Sequence, residues 1–333
     1  MRKECERQKV NKLEKFLKNI RFDASYLVLF VFLMLLFSRY VVSMLGDASN
    51  EYLAVIILQL LTFGFPAAIT YRLKSIDLFG APSKKREPYH RQIRMTAVRP
   101  AYAVITVATV FALISGCLLL SINFTGKSSL EGSFSLYDTF ISKYNGTSLG
   151  AVWLLLAYAA LPAFCEEMIF RGIVLSEYEE KYGKVCAFAM STVFFAFLHF
   201  NISKLLVYLF AGALLTALLY ATRNLFCAML AHFAYNVFGI FGQQYVTEFY
   251  VTAGNMWAVV IVLLAILLLS ASVFCGSASR LYGMYSKNDP PSDEVEKTDK
   301  ETLINAFKQC LTTPGAVICF LLFAAVCTIF ALI

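Results

Sequence analysis

Charge is what this chain has least of. Of its 333 residues, 15% are Asp, Glu, Lys or Arg and 59% are hydrophobic. A soluble domain carries about 25% charge and roughly 45–50% apolar residues, so a soluble globular domain is excluded. The net charge of +7 does not indicate nucleic-acid binding. The lysines and arginines collect in a few segments between apolar runs, as the positive-inside rule of membrane proteins requires. Paired cysteines are also missing. The nine cysteines are scattered and none forms CxxC, which excludes a disulfide framework and a zinc knuckle. Most of them sit in apolar runs, where Cys acts as a small hydrophobe. There is no HExxH, no Gly-rich phosphate loop, no internal repeat and no soluble domain of any size. The basic start lacks a small-residue cleavage site, so it does not read as a cleaved signal peptide.

Long apolar runs are what remains. They are continuous rather than alternating, which selects helices over a barrel. With roughly 20 apolar residues per crossing, the expected spans lie near 25–46, 51–71, 100–122, 149–175, 184–200, 204–222, 225–243, 251–275 and 314–333. The expected fold class is therefore all-α, a polytopic transmembrane helix bundle of about nine spans (eight to nine). The basic start places the N-terminus in the cytoplasm. The basic segment 72–99 returns to that side, and the loop 123–148 lies outside. The expected organisation is a basic tail at 1–22, a bundle at 23–275, a polar cytoplasmic loop at 276–313 and a C-terminal span at 314–333. In the tail, Val10, Leu13, Phe16, Leu17 and Ile20 recur at helical spacing. This fits either an interfacial helix on anionic lipid or a solvated basic tail.

Ionisable groups within spans are functional candidates by default. They are Arg39, Glu166, Glu167, Arg171, His199 and His232, joined by the amide of Asn236. His90, the third histidine, falls in the basic loop. Glu167 and Arg171 stand at i and i+4 and share a helix face. Glu166 is rotated about 100° from Glu167 and is the poorer partner for Arg171. The spacing therefore divides the acids, with Glu167 neutralised and Glu166 available. Pro162, one turn earlier, is expected to kink the helix. Phe195 and His199 are i and i+4, as are His232 and Asn236. Arg39, alone near the end of the first span, is expected to snorkel. Taken singly, each group reads as a satisfied interhelical contact. Gathered on three spans, they point to a shared polar site.

Glu166-Glu167-x-x-x-Arg171, Phe195-x-x-x-His199 and His232-x-x-x-Asn236 resemble the three motifs of the CPBP (ABI) intramembrane proteases, a family that includes the type II CAAX prenyl endopeptidases. The resemblance covers about 149–243. It implies an intramembrane endopeptidase in which Glu166 activates water, His199 helps to hold it, and His232 and Asn236 face the oxyanion. Glu167, Arg171 and Phe195 would support the site. The family has also been described as metal-dependent. In that alternative Glu166, His199 and His232 would hold a zinc ion, but the metal-free site is favoured. The implied partners are a peptide or membrane-protein substrate and the bilayer, with no nucleic acid. The expected location is a bacterial plasma membrane. Two other classes stay open: a proton-coupled transporter, and a non-catalytic immunity or scaffold protein on the same fold.

Overall fold

The computed structural model describes residues 23–45, 51–74, 100–125, 148–253, 255–288 and 300–332. All regular structure among them is helical. The helices are α1 (Ala24–Leu45), α2 (51–73), α3 (Pro100–Thr125), α4 (148–174), α5 (Leu175–Phe197), α6 (Leu205–Thr222), α7 (225–242), α8 (Gln243–Ala253), α9 (Met256–Asn288), α10 (Lys300–Thr312) and α11 (Pro314–Leu332). The expected tail at 1–22, most of the basic segment at 72–99 and most of the loop at 123–148 lie outside the described residues.

Among the described residues, seven helical stretches are long and apolar enough to cross a membrane, or eight if the bent pair Glu301–Thr312 and Pro314–Ile329 is one span. One stretch, Gly150–Phe197, has 48 residues. At about 1.5 Å per residue it would reach about 72 Å, more than twice the roughly 30 Å hydrocarbon thickness. It does not run straight. Gly183 breaks it with φ 82° and ψ 168°, a conformation that glycine adopts without steric cost. The expected separation into 149–175 and 184–200 follows from that break.

Two differences from the sequence expectation concern the C-terminal part. The eighth span starts at Met256 and its helix continues to Asn288, and residues 300–312 form a further helix. Much of the segment expected as a polar loop at 276–313 is thus helical, and 289–299 lie outside the described residues. The cause is packing. On α10, Cys310 is fully buried and Leu303, Ala306 and Phe307 pack on the core, so a modestly polar sequence gains an amphipathic face.

Two helices carry a proline directly after a π-helical turn. Leu60–Gly64 precedes Pro66, and Leu155–Ala160 precedes Pro162. A proline removes one i→i−4 hydrogen bond, and a widened turn lets the helix pass that gap. At the second site Leu161 N–H reaches Leu156 O, five residues back. A third π turn, Met168–Val174, follows the two glutamates, and a fourth, Phe238–Gly242, ends α7. Such insertions cluster at functional positions.

The core lies where α4, α5, α6 and α7 meet α1–α3. α6 packs on α5 and α3, and α7 packs on α3 and α4. α11 closes the side of α1 and α5, with Phe323 stacked on Phe197 at 3.9 Å between centroids. α6 ends at Arg223 in the left-handed region (φ 50°). Asn224 then caps α7 by accepting Phe226 N–H at 3.0 Å. That tight reversal holds α6 and α7 side by side.

Candidate active site

Arg171 is fully buried and donates through Nη1 to Glu167 Oε1 at 2.8 Å, the i,i+4 pair that the spacing predicts. Its Nη2 donates to the Gly212 carbonyl of α6 at 3.0 Å. That reach depends on close helix packing. A Cβ on Gly212 would lie 3.2–3.3 Å from Phe195 and Thr192 atoms of α5. The π turn around Arg171 is also tied down, because Ser191 Oγ donates to Phe170 O at 2.9 Å.

Glu167 has a second partner that spacing did not predict. His232 Nδ1 lies 2.9 Å from the same Oε1. A carboxylate only accepts, so Nδ1 carries the proton. One oxygen of Glu167 thus joins α4 to α7 and takes both basic groups, while Oε2 is buried and has no hydrogen-bond partner among the described residues. The sequence expectation gave Glu167 to Arg171 alone and His232 to the side of Glu166.

Glu166 is 8% exposed and makes no hydrogen bond to another described residue. It lies in the electrostatic field of His232, Glu167 and Arg171. The carboxylate is therefore buried among the candidate groups without being consumed by any of them.

Phe195 is the packing centre of the site. The Arg171 guanidinium lies 4.3 Å from its ring centroid. The rings of His199 and His232 pack edge-to-face on it at 5.3 and 5.7 Å. One aromatic ring thus touches a group from each of the three motifs. His199 itself sits beyond the end of α5, in the turn to α6, because the helix stops at Phe197 and Phe200 takes φ 47°. The expected span had placed it inside the helix. Its Nδ1 lies 3.0 Å from Phe195 O. A carbonyl cannot donate, so Nδ1 again holds the proton and Nε2 is an acceptor. The other face of the ring stacks on Tyr208 at 3.8 Å and 15°. Asn236 is half-buried and donates through Nδ2 to Ala159 O at 3.4 Å, within the π turn before Pro162.

The sequence reading set Arg39 aside as a snorkelling residue and did not single out Tyr208. Arg39 Nη2 donates to His199 O at 3.2 Å and its guanidinium lies 5.8 Å from the Phe200 ring centroid. It is therefore held at the His199 turn as well as being placed to snorkel. No local signal announces a contact across 160 positions. Tyr208 shares no motif with His199 and meets it only because α6 folds back on α5.

The ligands of the metal alternative, Glu166, His199 and His232, do not form a metal-sized group. No three His, Cys, Asp or Glu side chains do so among the described residues.

No curated protein and no solved structure matches the chain. A family model does match, over residues 148–238, a stretch that holds every motif residue from Glu166 to Asn236. That stretch is similar to the family described as "Type II CAAX prenyl endopeptidase Rce1-like", in agreement with the resemblance to CPBP proteases, and it supports an integral membrane protease of the CAAX type.

Proposed function

We propose that the protein is an intramembrane endopeptidase in which Glu166 is the general base. The observation that supports this best is a buried glutamate that hydrogen-bonds to no other described residue and lies in the field of His232, whose Nδ1 is already committed to Glu167. His199 Nε2 accepts one O–H of the attacking water, and Glu166 takes the other proton. The water oxygen bonds to the scissile carbonyl carbon and its π electrons move to the oxygen. Asn236 donates to that oxyanion through its amide, and His232 donates from Nε2 as the imidazolium. When the C–N bond breaks, the amine leaves with the proton held by Glu166. Glu167 and Arg171 fix His232 and never touch the substrate. No step is routed through a metal.

The substrate is a peptide or a membrane-associated protein and the location is a bacterial plasma membrane. The deciding experiment is cleavage of a quenched peptide library by purified protein in liposomes. Wild type should cleave, and Glu166→Gln should lose about 10²–10⁴-fold in kcat, the usual share of a general base. Equal rates in the two would remove Glu166 from the role. Inhibition by chelator, restored by zinc, would replace the metal-free mechanism. Proton-coupled uptake without proteolysis would support a transporter.

A further inference from the structure

α6 carries none of the motif residues, yet the site is fastened to it. Gly212, in the interior of α6, offers its carbonyl to Arg171 Nη2 at 3.0 Å. The other terminal nitrogen of the same guanidinium donates to Glu167 Oε1 at 2.8 Å, and that oxygen accepts from His232 Nδ1 at 2.9 Å. Three hydrogen bonds thus run in series from the backbone of α6 through α4 to the imidazole on α7. Arg171, Glu167 and His232 are all buried.

A guanidinium is a rigid plane. Acceptors on both of its terminal nitrogens settle its orientation, where one alone would leave it free to swing. The Phe195 ring, 4.3 Å from the guanidinium carbon, closes a third side. Thr216 Oγ1 donates to the Gly212 carbonyl as well, at 2.8 Å. Such a bond, from four residues on, bends a helix locally and leaves this carbonyl shared between α6 and α4.

Glycine is what permits the approach. In a helix interior it is disfavoured relative to alanine, and alanines flank it at Ala211 and Ala213. A Cβ at 212 would stand 3.2 Å from Phe195 Cδ1, 3.3 Å from Thr192 Cγ2 and 3.3 Å from the Thr192 carbonyl oxygen. The first belongs to the ring on which Arg171 and both histidines pack. The last is backbone of α5 and cannot rotate away.

We propose that Gly212 is a positioning residue of the site. It brings the α6 backbone within reach of Arg171, whose orientation sets Glu167 and, through it, the His232 ring. The effect on rate rests on the protease reading, but the effect on His232 does not need cleavage.

The test uses the full-length protein in detergent, with isotope-labelled histidine read by NMR. The chain has three histidines, and the His232 signal is the one lost in His232→Gln. Gly212→Ala should move the His232 Nδ1 proton upfield, as a lengthened hydrogen bond does, while thermal shift shows a folded protein. On a cleavable peptide its kcat should fall about tenfold with KM unchanged, since a small misplacement of a catalytic group costs rate. Adding Thr192→Ala removes one of the three close contacts and should return part of both effects. Thr216→Val takes one donor from the Gly212 carbonyl without changing the size of the side chain. It should move the same signal, and it carries the test if Gly212→Ala does not fold. An unmoved His232 signal, a movement that Thr192→Ala leaves unrestored, or an unchanged kcat in a protein that cleaves would overturn the proposal. A moved signal in a protein whose wild type cleaves no peptide would remove only the protease reading.

Discussion

His232 on α7 and Arg171 on α4 meet at one oxygen: Glu167 Oε1 lies 2.9 Å from His232 Nδ1 and 2.8 Å from Arg171 Nη1. Glu167 therefore does two jobs. It neutralises a fully buried guanidinium, and it holds the His232 ring by its Nδ1–H.

Those jobs can be separated by mutation. Glu167→Gln leaves Arg171 buried without its counter-charge, a loss of about 3–5 kcal/mol. Thermal unfolding in detergent should show a large fall. Replacing both members, Glu167→Gln with Arg171→Met, should recover much of the stability, because an apolar pair of similar volume is often tolerated. Cleavage should stay low in the double variant, since His232 has still lost its carboxylate. Recovery of activity along with stability would reduce Glu167 to a structural ion.

Phe195 should separate packing from chemistry in a different way. Phe195→Ala removes a buried aromatic and should cost about 3–5 kcal/mol. Phe195→Leu keeps much of the volume but loses the cation–π contact with Arg171 and the edge contacts with both histidines. Its stability should fall modestly while kcat drops and KM changes little. Steady-state kinetics on a cleavable peptide would decide; unchanged kcat would mean the ring only fills space.

Gly172 tests the packing beneath the site. A Cβ there would collide with the hydroxyl of Tyr71 on α2. Gly172→Ala should destabilise by about 1–3 kcal/mol, as overpacking does. Adding Tyr71→Phe should recover part of that loss by opening the space. A thermal-shift comparison of the single and double variants checks it, and no recovery would place the strain elsewhere.

Tyr208 is expected to act through the His199 ring that it covers at 3.8 Å. Tyr208→Phe keeps the stack and should retain most activity. Tyr208→Leu frees the ring and should lower kcat, with a changed pH profile of kcat as the sign that His199, rather than the fold, has been disturbed.

Much of the fold was legible in the chain. A bilayer leaves backbone groups no partner but each other, so long apolar runs with few charges had to become helices. The pairing of Glu167 with Arg171 was legible for the same local reason: residues four apart share a helix face. The helical character of 276–288 and 300–312 was not legible, because those residues take their order from neighbours that a sequence does not place beside them.

The boundary between sequence and tertiary structure runs through the site itself. The sequence alone determined that Glu167 and Arg171, and His232 and Asn236, stand four apart within apolar surroundings, where unpaired charge is costly. Only the tertiary structure decided that His232 falls to Glu167, that Phe195 stands between both histidines, and that Arg39 closes on the His199 turn. These contacts bridge 65, 37 and 160 positions respectively. Helix periodicity fixes the direction of a side chain on its own helix. It holds no information on which neighbouring helix that side chain will meet.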